Sequence, residues 1–131
     1  MTTAGSLTIK KFDGTTDITW SLIAASGGDK SPALWRSTSA SGTVGQQPTF
    51  SATARWNTQK TVRRFDVSCS FPSVYTNSAT GQTEVRATMV FSGSFAVPQN
   101  VNATDIQEFT YQVANLVAAM KTSIVTGYAP T

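Results

Sequence analysis

Histidine is absent from the 131 residues, and cysteine occurs once, as Cys69. Histidine is the commonest general base and the commonest protein ligand of metals, so its absence removes most catalytic triads and most zinc sites. A lone cysteine cannot form an internal disulfide. We therefore expect a protein that is not an enzyme and that holds no cofactor and no metal.

Charged side chains are scarce as well, at 13% of residues, and ten Lys and Arg against seven Asp and Glu give a net charge of +3. The acidic residues are scattered without metal-ligand spacing, and no phosphate-binding loop or dinucleotide motif occurs. The mild positive charge suits a polyanionic partner without establishing one. No apolar run approaches the about eighteen residues of a membrane span, and no signal-peptide pattern occurs, so we expect no membrane partner. The length predicts one domain over residues 1–131.

The first third of the chain predicts a β-hairpin and a short strand. Asp13-Gly14 separates SLTIKKF from TTDITWSLIAAS, and we expect a two-residue type I′ turn there because Gly adopts the positive φ that this turn needs. ALWRSTS at 33–39 predicts a short strand, and the Gly/Ser/Pro-rich segment 40–48 predicts a loop with little capacity to pack.

From residue 49 onward, apolar and polar residues alternate with a period of two, which is typical of strands with one buried face. Phe50, Ala52, Ala54 and Trp56 alternate with Ser51, Thr53, Arg55 and Asn57. After a turn at 57–60, Phe65, Val67, Cys69 and Phe71 alternate with Arg64, Asp66, Ser68 and Ser70. We expect Pro72 to end this strand, because proline cannot donate a ladder hydrogen bond.

A third long strand and a helix complete the pattern. The strand is predicted at 84–97, after a polar loop at 77–83 and before Pro98. Thr104 and Gln107 form a candidate capping box, and an apolar stripe at helical spacing follows: Ile106, Phe109, Val113, Leu116, Val117, Met120 and Ile124. The predicted fold class is α+β: an N-terminal β-hairpin, an antiparallel sheet of about five to six strands, and a C-terminal amphipathic helix. One helix about 10 Å wide cannot cover such a sheet, so a second copy of the chain is the simplest source of another layer.

This order of elements resembles the coat proteins of the single-stranded RNA bacteriophages, most closely from residue 49 to the end. The resemblance implies a homodimer whose sheets join edge to edge, with the helices of each chain lying over the sheet of the other. It also implies assembly of the dimers into an icosahedral capsid, with the open sheet face turned toward single-stranded genomic RNA. In that family the coat protein binds an RNA stem-loop and so represses translation. The expected location is the virion, after synthesis in the bacterial host cytoplasm.

The resemblance also assigns roles to residues. RNA contacts are expected from the polar side of the long strands, at Ser51, Thr53, Arg55, Asn57, Arg64, Asp66, Ser68, Ser70, Arg86, Thr88 and Ser92. The dimer interface and core are expected at Phe91, Phe95, Phe109, Val113, Leu116, Val117 and Met120. Asp66 departs from the family pattern, since its carboxylate would repel phosphate unless it pairs with Arg55 or Arg64 or accepts a hydrogen bond from a base. A second terminal helix has room for about one or two turns after Met120.

Other interpretations stay open at this point. The basic residues also fit the solvated face of any sheet, and Arg63, on the apolar parity, is expected to snorkel to solvent at the start of its strand. Trp20, Trp35 and Trp56 fit core or interface anchors, Cys69 fits a small buried residue, and Tyr75 and Tyr128 fit exposed subunit contacts. Two other functions remain: a sheet-based nucleic-acid-binding module that does not assemble, and a filament or surface-layer subunit that binds no RNA. The first would place aromatic residues on the basic face, and the second would leave a donor strand rather than a terminal helix.

Overall fold

A computed structural model describes residues 2–38 and 43–131. Six strands form one sheet in chain order: β1 (Leu7–Lys10), β2 (Asp17–Ala24), β3 (Ala33–Arg36), β4 (Thr49–Trp56), β5 (Val62–Thr76) and β6 (Thr83–Pro98). Two helices follow, α1 (Ala103–Ala119) and α2 (Lys121–Thr126). The predicted α+β class is confirmed, with six strands and with a second short helix. The chain forms two compact units, Met1–Ala96 and Val97–Thr131.

The pairing of β4 with β5 confirms the two-faced design. Antiparallel neighbours that lie directly opposite each other share one face of the sheet. The apolar residues pair with one another as Phe50↔Cys69, Ala52↔Val67 and Ala54↔Phe65. The polar residues do the same as Ser51↔Ser68, Thr53↔Asp66 and Arg55↔Arg64. The alternation of the sequence thus becomes two chemically different surfaces.

Both surfaces continue across the first three strands. The apolar face comprises Leu7, Ile9, Ile18, Trp20, Leu22, Ala33, Trp35, Phe50, Ala52, Ala54, Phe65, Val67 and Cys69. The polar face comprises Thr8, Lys10, Asp17, Thr19, Ser21, Arg36, Thr49, Ser51, Thr53, Arg55, Arg64, Asp66, Ser68 and Ser70, with Leu34 as an apolar exception opposite Ser51.

The apolar face is incompletely covered in the isolated chain. Trp20, Ala33 and Ala52 are the buried apolar residues of the described segments, whereas Phe65 is 43% exposed. A purely apolar cavity of about 290 Å³, lined by Leu7, Ile9, Trp20, Phe50 and Cys69, opens on this face. Burial raises the pKa of the Cys69 thiol, in line with the expected packing role. This face needs another layer to become a core.

The helical unit shows the same excess of exposed apolar surface. Phe109 is 50% exposed and Leu116 is 62% exposed, while Ile106 and Val113 are half-buried. α1 ends at Ala119 with Met120 as its C-cap, and α2 ends at Thr126 before Gly127, whose φ of 77° is the left-handed conformation that favours glycine. The apolar stripe therefore continues from α1 into α2, where Ile124 is exposed as well.

The turn of the first hairpin differs from the prediction. Gly14 N–H donates to the Lys11 carbonyl, and Lys11 N–H donates to the Thr16 carbonyl, so the connection is longer than two residues. Type I′ requires positive φ at both central residues, but among residues 11–16 only Gly14 has it, at 75°. The Asp13 carboxylate instead accepts hydrogen bonds from the backbone of Thr15 and Thr16 and from the Thr16 hydroxyl. A turn held by the Asp13 side chain therefore replaces the expected type I′ turn.

Pro72 does not end its strand, contrary to the prediction, because β5 continues through it to Thr76. The last pair between β4 and β5 is Thr49↔Ser70. Pro72 lies beyond that pair, where β4 no longer needs a hydrogen-bond donor, so the missing N–H breaks no bond of that ladder. The segment 73–76, predicted as a separate short strand, is the end of β5.

The helix start also differs from the prediction. Asn102, not Thr104, is the N-cap of α1, and its side-chain oxygen accepts a hydrogen bond of 2.8 Å from the Asp105 N–H. The Asn102 amide in turn donates to the Asp105 carboxylate at 2.9 Å. Asn ranks with Ser and above Thr as an N-cap residue, and Asp105, not Gln107, is the residue whose side chain returns to the cap, where it accepts from the Asn102 amide.

We predict that Asn102→Ala lowers the free energy of unfolding by about 1 kcal/mol, because the N–H of Asp105 loses its acceptor. Thr104→Ala should change it by less than about 0.5 kcal/mol, since Thr104 is not the cap. Guanidinium unfolding followed by far-ultraviolet circular dichroism measures both. A larger loss for Thr104→Ala would show that the helix starts where the sequence pattern put it.

Candidate nucleic-acid interface

The centre of the polar face is a shallow depression lined by small hydroxyl side chains. It has a volume of about 390 Å³, and we call it the hydroxyl depression; its lining is Ser51, Thr53, Asp66, Val67, Ser68, Ser92, Gly93 and Ser94. β4, β5 and β6 all contribute because period-two alternation aims every second residue to the same side. Five of the predicted RNA-contact residues meet here. Ser94 was missed, although it has the same parity as Ser92.

Asp66 is the one carboxylate of the hydroxyl depression, and it is paired. Arg55 Nε donates to Asp66 Oδ2 at 3.1 Å. A hydrogen bond from Ser94 and then the one from Arg55 hold the pKa of the Asp66 carboxyl below its ordinary value of 3.8. Of the two arginines considered as partners of Asp66, Arg55 is the one that forms the ion pair. The pair leaves the depression with hydroxyl donors and acceptors and little net charge.

We predict that the Asp66 carboxyl titrates below its ordinary value of 3.8, and that Ser94→Ala moves the pKa back up by removing the main cause. Because the folded pKa is depressed, the stability that Asp66 contributes is fully present above the unfolded pKa. It is lost as the pH falls through the folded pKa. Carboxyl chemical shifts from pH 2 to 6 measure this, and equal pKa values in both proteins would contradict the assigned hydrogen bond.

A second, larger concavity lies where β4 turns into β5. It has a volume of about 730 Å³ and is lined by Asp29, Lys30, Arg55, Trp56, Asn57, Thr58, Lys60 and Arg64. We call it the turn groove. Arg55 and Arg64 are predicted site residues, whereas Lys30, from the loop between β2 and β3, was missed. No local pattern marks Lys30, because its place beside β4 depends on how that loop folds.

Asn57 lines the turn groove, but its amide is committed to the turn. Its Oδ1 accepts hydrogen bonds from the N–H groups of Thr61 at 2.9 Å and Val62 at 3.3 Å. Its Nδ2 donates to the Thr61 hydroxyl at 3.1 Å. These bonds close the β4–β5 connection, so the side chain positions the groove rather than offering a free amide.

Arg63 is held in place instead of reaching into solvent as expected. Its guanidinium donates two hydrogen bonds of 2.9 Å to the Asp29 carboxylate and lies 4.8 Å from the centre of the Trp56 ring. The pair lowers the pKa of Asp29 and raises that of Arg63. A bidentate pair with an aromatic contact is a geometrically specific link. It fastens the β2–β3 loop to the β4–β5 hairpin.

The remaining predicted residues lie outside both concavities. Arg86 stacks 4.9 Å from the centre of the Tyr75 ring, and the Tyr75 hydroxyl donates to Glu84 at 2.9 Å. That bond raises the pKa of Tyr75. Tyr75 is half-buried, contrary to the predicted exposure, whereas Tyr128 is 80% exposed as predicted. Neither Thr88 nor Ser70 lines either concavity.

Solved structures with a similar fold include virus-like particles and a phage capsid protein. The chain is similar to the virus-like particle of bacteriophage NT-214, with a TM-score of 0.75, 15% identity and 99% of each chain covered. It is also similar to the virus-like particle of Beihai levi-like virus 21, with a TM-score of 0.74 and 18% identity. This match covers 99% of this chain and 98% of that chain. For the capsid protein of bacteriophage GA the TM-score is 0.69 and the identity 17%, with 91% of this chain and 93% of that chain covered.

The chain has the fold of a phage coat protein. The resemblance found in the sequence is thereby confirmed at the level of the fold, and over nearly the whole chain. Neither a protein-family model nor a curated protein matches the sequence. In residues 2–38 and 43–131, no helix is long and apolar enough to cross a membrane, and no cluster of three or more Cys, Asp or Glu could hold a metal ion.

Proposed function

We propose that the chain is a viral capsid protein, a single coat-protein domain that dimerises and assembles into an icosahedral shell around single-stranded RNA. Its place is the virion, and its role is structural rather than catalytic. The observation that carries the proposal is the exposed apolar surface on both units of a chain with a coat-protein fold. Large exposed apolar patches on a folded chain mark interaction sites.

Two partly exposed surfaces support the proposed dimer. α1 has 17 residues, which corresponds to a length of about 26 Å, and its stripe is exposed at Phe109, Leu116 and Val117. β6 has 16 residues and is the last strand of the sheet order, so one edge of a long strand lies open to pairing. A two-fold partner paired along β6 would extend the sheet and lay its α1 over the apolar face. Phe91 and Phe95 on β6 would then lie near the two-fold axis.

RNA binding is proposed for the polar face. Hydroxyl groups of the hydroxyl depression can hydrogen-bond the edges of unpaired bases and the ribose 2′-OH, and the guanidinium groups can contact phosphates. Phe50, Phe65 and Trp56 lie on the opposite parity, which separates this design from modules that stack bases on aromatic residues. Recognition of an RNA stem-loop as a translational repressor belongs to the same proposal, with Asp66 as an acceptor for exocyclic base amines.

We predict that the purified protein forms closed shells in electron micrographs and that Leu116→Glu abolishes them. The charge would have to be buried under the dimer partner, which is strongly unfavourable. Asn115→Glu is the matched control, because helical geometry places Asn115 on the face away from the stripe. Filaments from the wild type, or normal shells from Leu116→Glu, would contradict the capsid proposal.

We predict opposite effects for two neighbours on β5. Arg64→Ala should leave stability within about 0.5 kcal/mol while RNA affinity falls and the salt slope flattens by about 0.7. Phe65→Ala should leave the slope unchanged but lower dimer stability by about 3–5 kcal/mol if the partner buries the ring. Fluorescence anisotropy against salt and denaturant unfolding give the two readouts. If Arg64→Ala unfolds the protein and Phe65→Ala does not, the faces are assigned wrongly.

A further inference from the structure

The turn between β1 and β2 contains a pair of residues at which a main chain can rearrange. Asp13 is followed directly by Gly14, and both are exposed. In such a pair the glycine nitrogen can attack the side-chain carboxyl carbon of the aspartate, because glycine has no Cβ to obstruct the approach. No neighbouring atom lies within 4 Å of the position that a Cβ would take at Gly14. Steric shielding therefore does not protect this pair.

The rearrangement has two balanced steps. In the first, the Gly14 nitrogen loses its proton and bonds to Cγ of Asp13, one oxygen of the protonated carboxyl leaves as water, and a five-membered succinimide ring forms. In the second, water adds to the ring and opens the bond between the nitrogen and the α-carbonyl carbon. The chain then continues through the side-chain carbon, as isoaspartate, with unchanged mass and one additional carbon in the main chain.

Hydrogen bonds tie the reacting carboxylate to the residues that follow Gly14. Oδ1 of Asp13 accepts from the N–H groups of Thr15 and Thr16, each at 2.9 Å, and Oδ2 accepts from the Thr16 hydroxyl at 2.6 Å. These bonds, above all the one from the Thr16 hydroxyl, lower the pKa of Asp13 to about 2, and the charge of Lys11 adds to the effect. At neutral pH the carboxyl is therefore ionised, and the ionised form has no leaving group for the first step.

The attacking nitrogen is restrained as well. Gly14 N–H donates to the Lys11 carbonyl at 3.0 Å, and Lys11 N–H donates to the Thr16 carbonyl at 2.8 Å. Because the Gly14 nitrogen must give up its proton to attack, the first of these bonds has to break. The reaction thus requires the turn to open at the nitrogen and at the carboxyl together.

The same turn sets the register of two strands that carry part of the apolar face. Lys10 pairs with Asp17 directly beside the turn, in the ladder and as an ion pair. Farther along the ladder Leu7 lies opposite Trp20, and both line the apolar cavity. An additional main-chain carbon at residue 13 would disturb this register, which decides the face that each side chain occupies.

We propose that Asp13-Gly14 is a latent site of isoaspartate formation, which the hydrogen bonds of Asp13 to Thr16 keep inactive by holding the carboxylate away from the Gly14 nitrogen. Thr16 is the positioning residue, because its N–H and its hydroxyl engage both carboxylate oxygens. This role goes beyond the proposed function, since it depends neither on assembly nor on RNA.

The wild-type protein at neutral pH, folded in buffer or unfolded in urea, gives the first test. Peptide mapping with electron-transfer mass spectrometry measures isoaspartate at residue 13, since it distinguishes isomers of equal mass. A return of the Asp13 pKa from about 2 to 3.8 would raise the reactive protonated fraction about 60-fold. We therefore expect isoaspartate to form at least about tenfold more slowly in the folded protein. Equal rates in buffer and in urea would overturn the proposal.

Thr16→Val gives the second test, because it removes the hydroxyl and keeps the branched shape of the side chain. The folded variant should form isoaspartate several-fold faster than the wild type, and Thr16→Ser, which retains the hydroxyl, should restore the slow rate. Thr15→Val is the matched control, since among the described contacts Thr15 bonds Asp13 through its N–H alone. A wild-type rate in Thr16→Val, or an equal acceleration in Thr15→Val, would contradict the assigned role of Thr16.

Asp13→Asn keeps the test decisive if Thr16→Val fails to fold, which circular dichroism reports. An amide reacts with the Gly14 nitrogen without prior protonation and releases ammonia, so this variant measures the restraint of the turn apart from the ionisation of the carboxyl. Deamidation should be slower in the folded variant than in urea, because the side-chain oxygen can still accept from Thr15 and Thr16. Equal deamidation in both states would show that the turn does not hold the reacting groups apart, and would overturn the proposal.

Discussion

An apolar sheet face that the unit Met1–Ala96 leaves partly open is the constraint from which the other features follow. Trp20, Ala33 and Ala52 are buried, but Phe65 and the residues around the apolar cavity still contact solvent in the isolated chain. A surface of this kind is unfavourable in water at about 25 cal/mol per Å². The stripe of α1 has the same need for cover. Burial of each against a second copy, as in the proposed dimer, would cover both surfaces at once.

On the polar face the unfavourable feature is an uneven distribution of charge. The centre of this face is nearly neutral, because the Asp66 carboxylate lies against Arg55, whereas its turn end gathers cations, among them Lys30 and Lys60 with positive φ. Glycine adopts positive φ without the steric cost that lysine meets, and it does so in the first hairpin turn, at Gly14. Backbone strain of this kind clusters at functional sites.

The sequence-based predictions that fail share one cause, which is that hydrogen-bond partners decide local structure. Pro72 is by type a strand breaker, yet it is harmless because the β4 ladder ends at Ser70. Thr104 and Asn102 are both capping residues by type, and only the actual bond to Asp105 distinguishes them. Asp13-Gly14 predicts a tight turn, but the carboxylate of Asp13 recruits Thr16 and lengthens it.

The sequence by itself determined the two faces of the sheet. Within each strand a period of two leaves no freedom about which residues share a side, so alternation groups Ser51 with Thr53 on β4 and Asp66 with Ser68 on β5. It also determined the amphipathic helix, through the spacing from Phe109 to Met120. Only the tertiary structure decided the turn groove, because Lys30 is far from Lys60 in sequence. The hydrogen bond of Lys30 to Ala54 and the pairing of Asp29 with Arg63 bring them to one concavity, and contacts between distant segments leave no periodic trace in the chain.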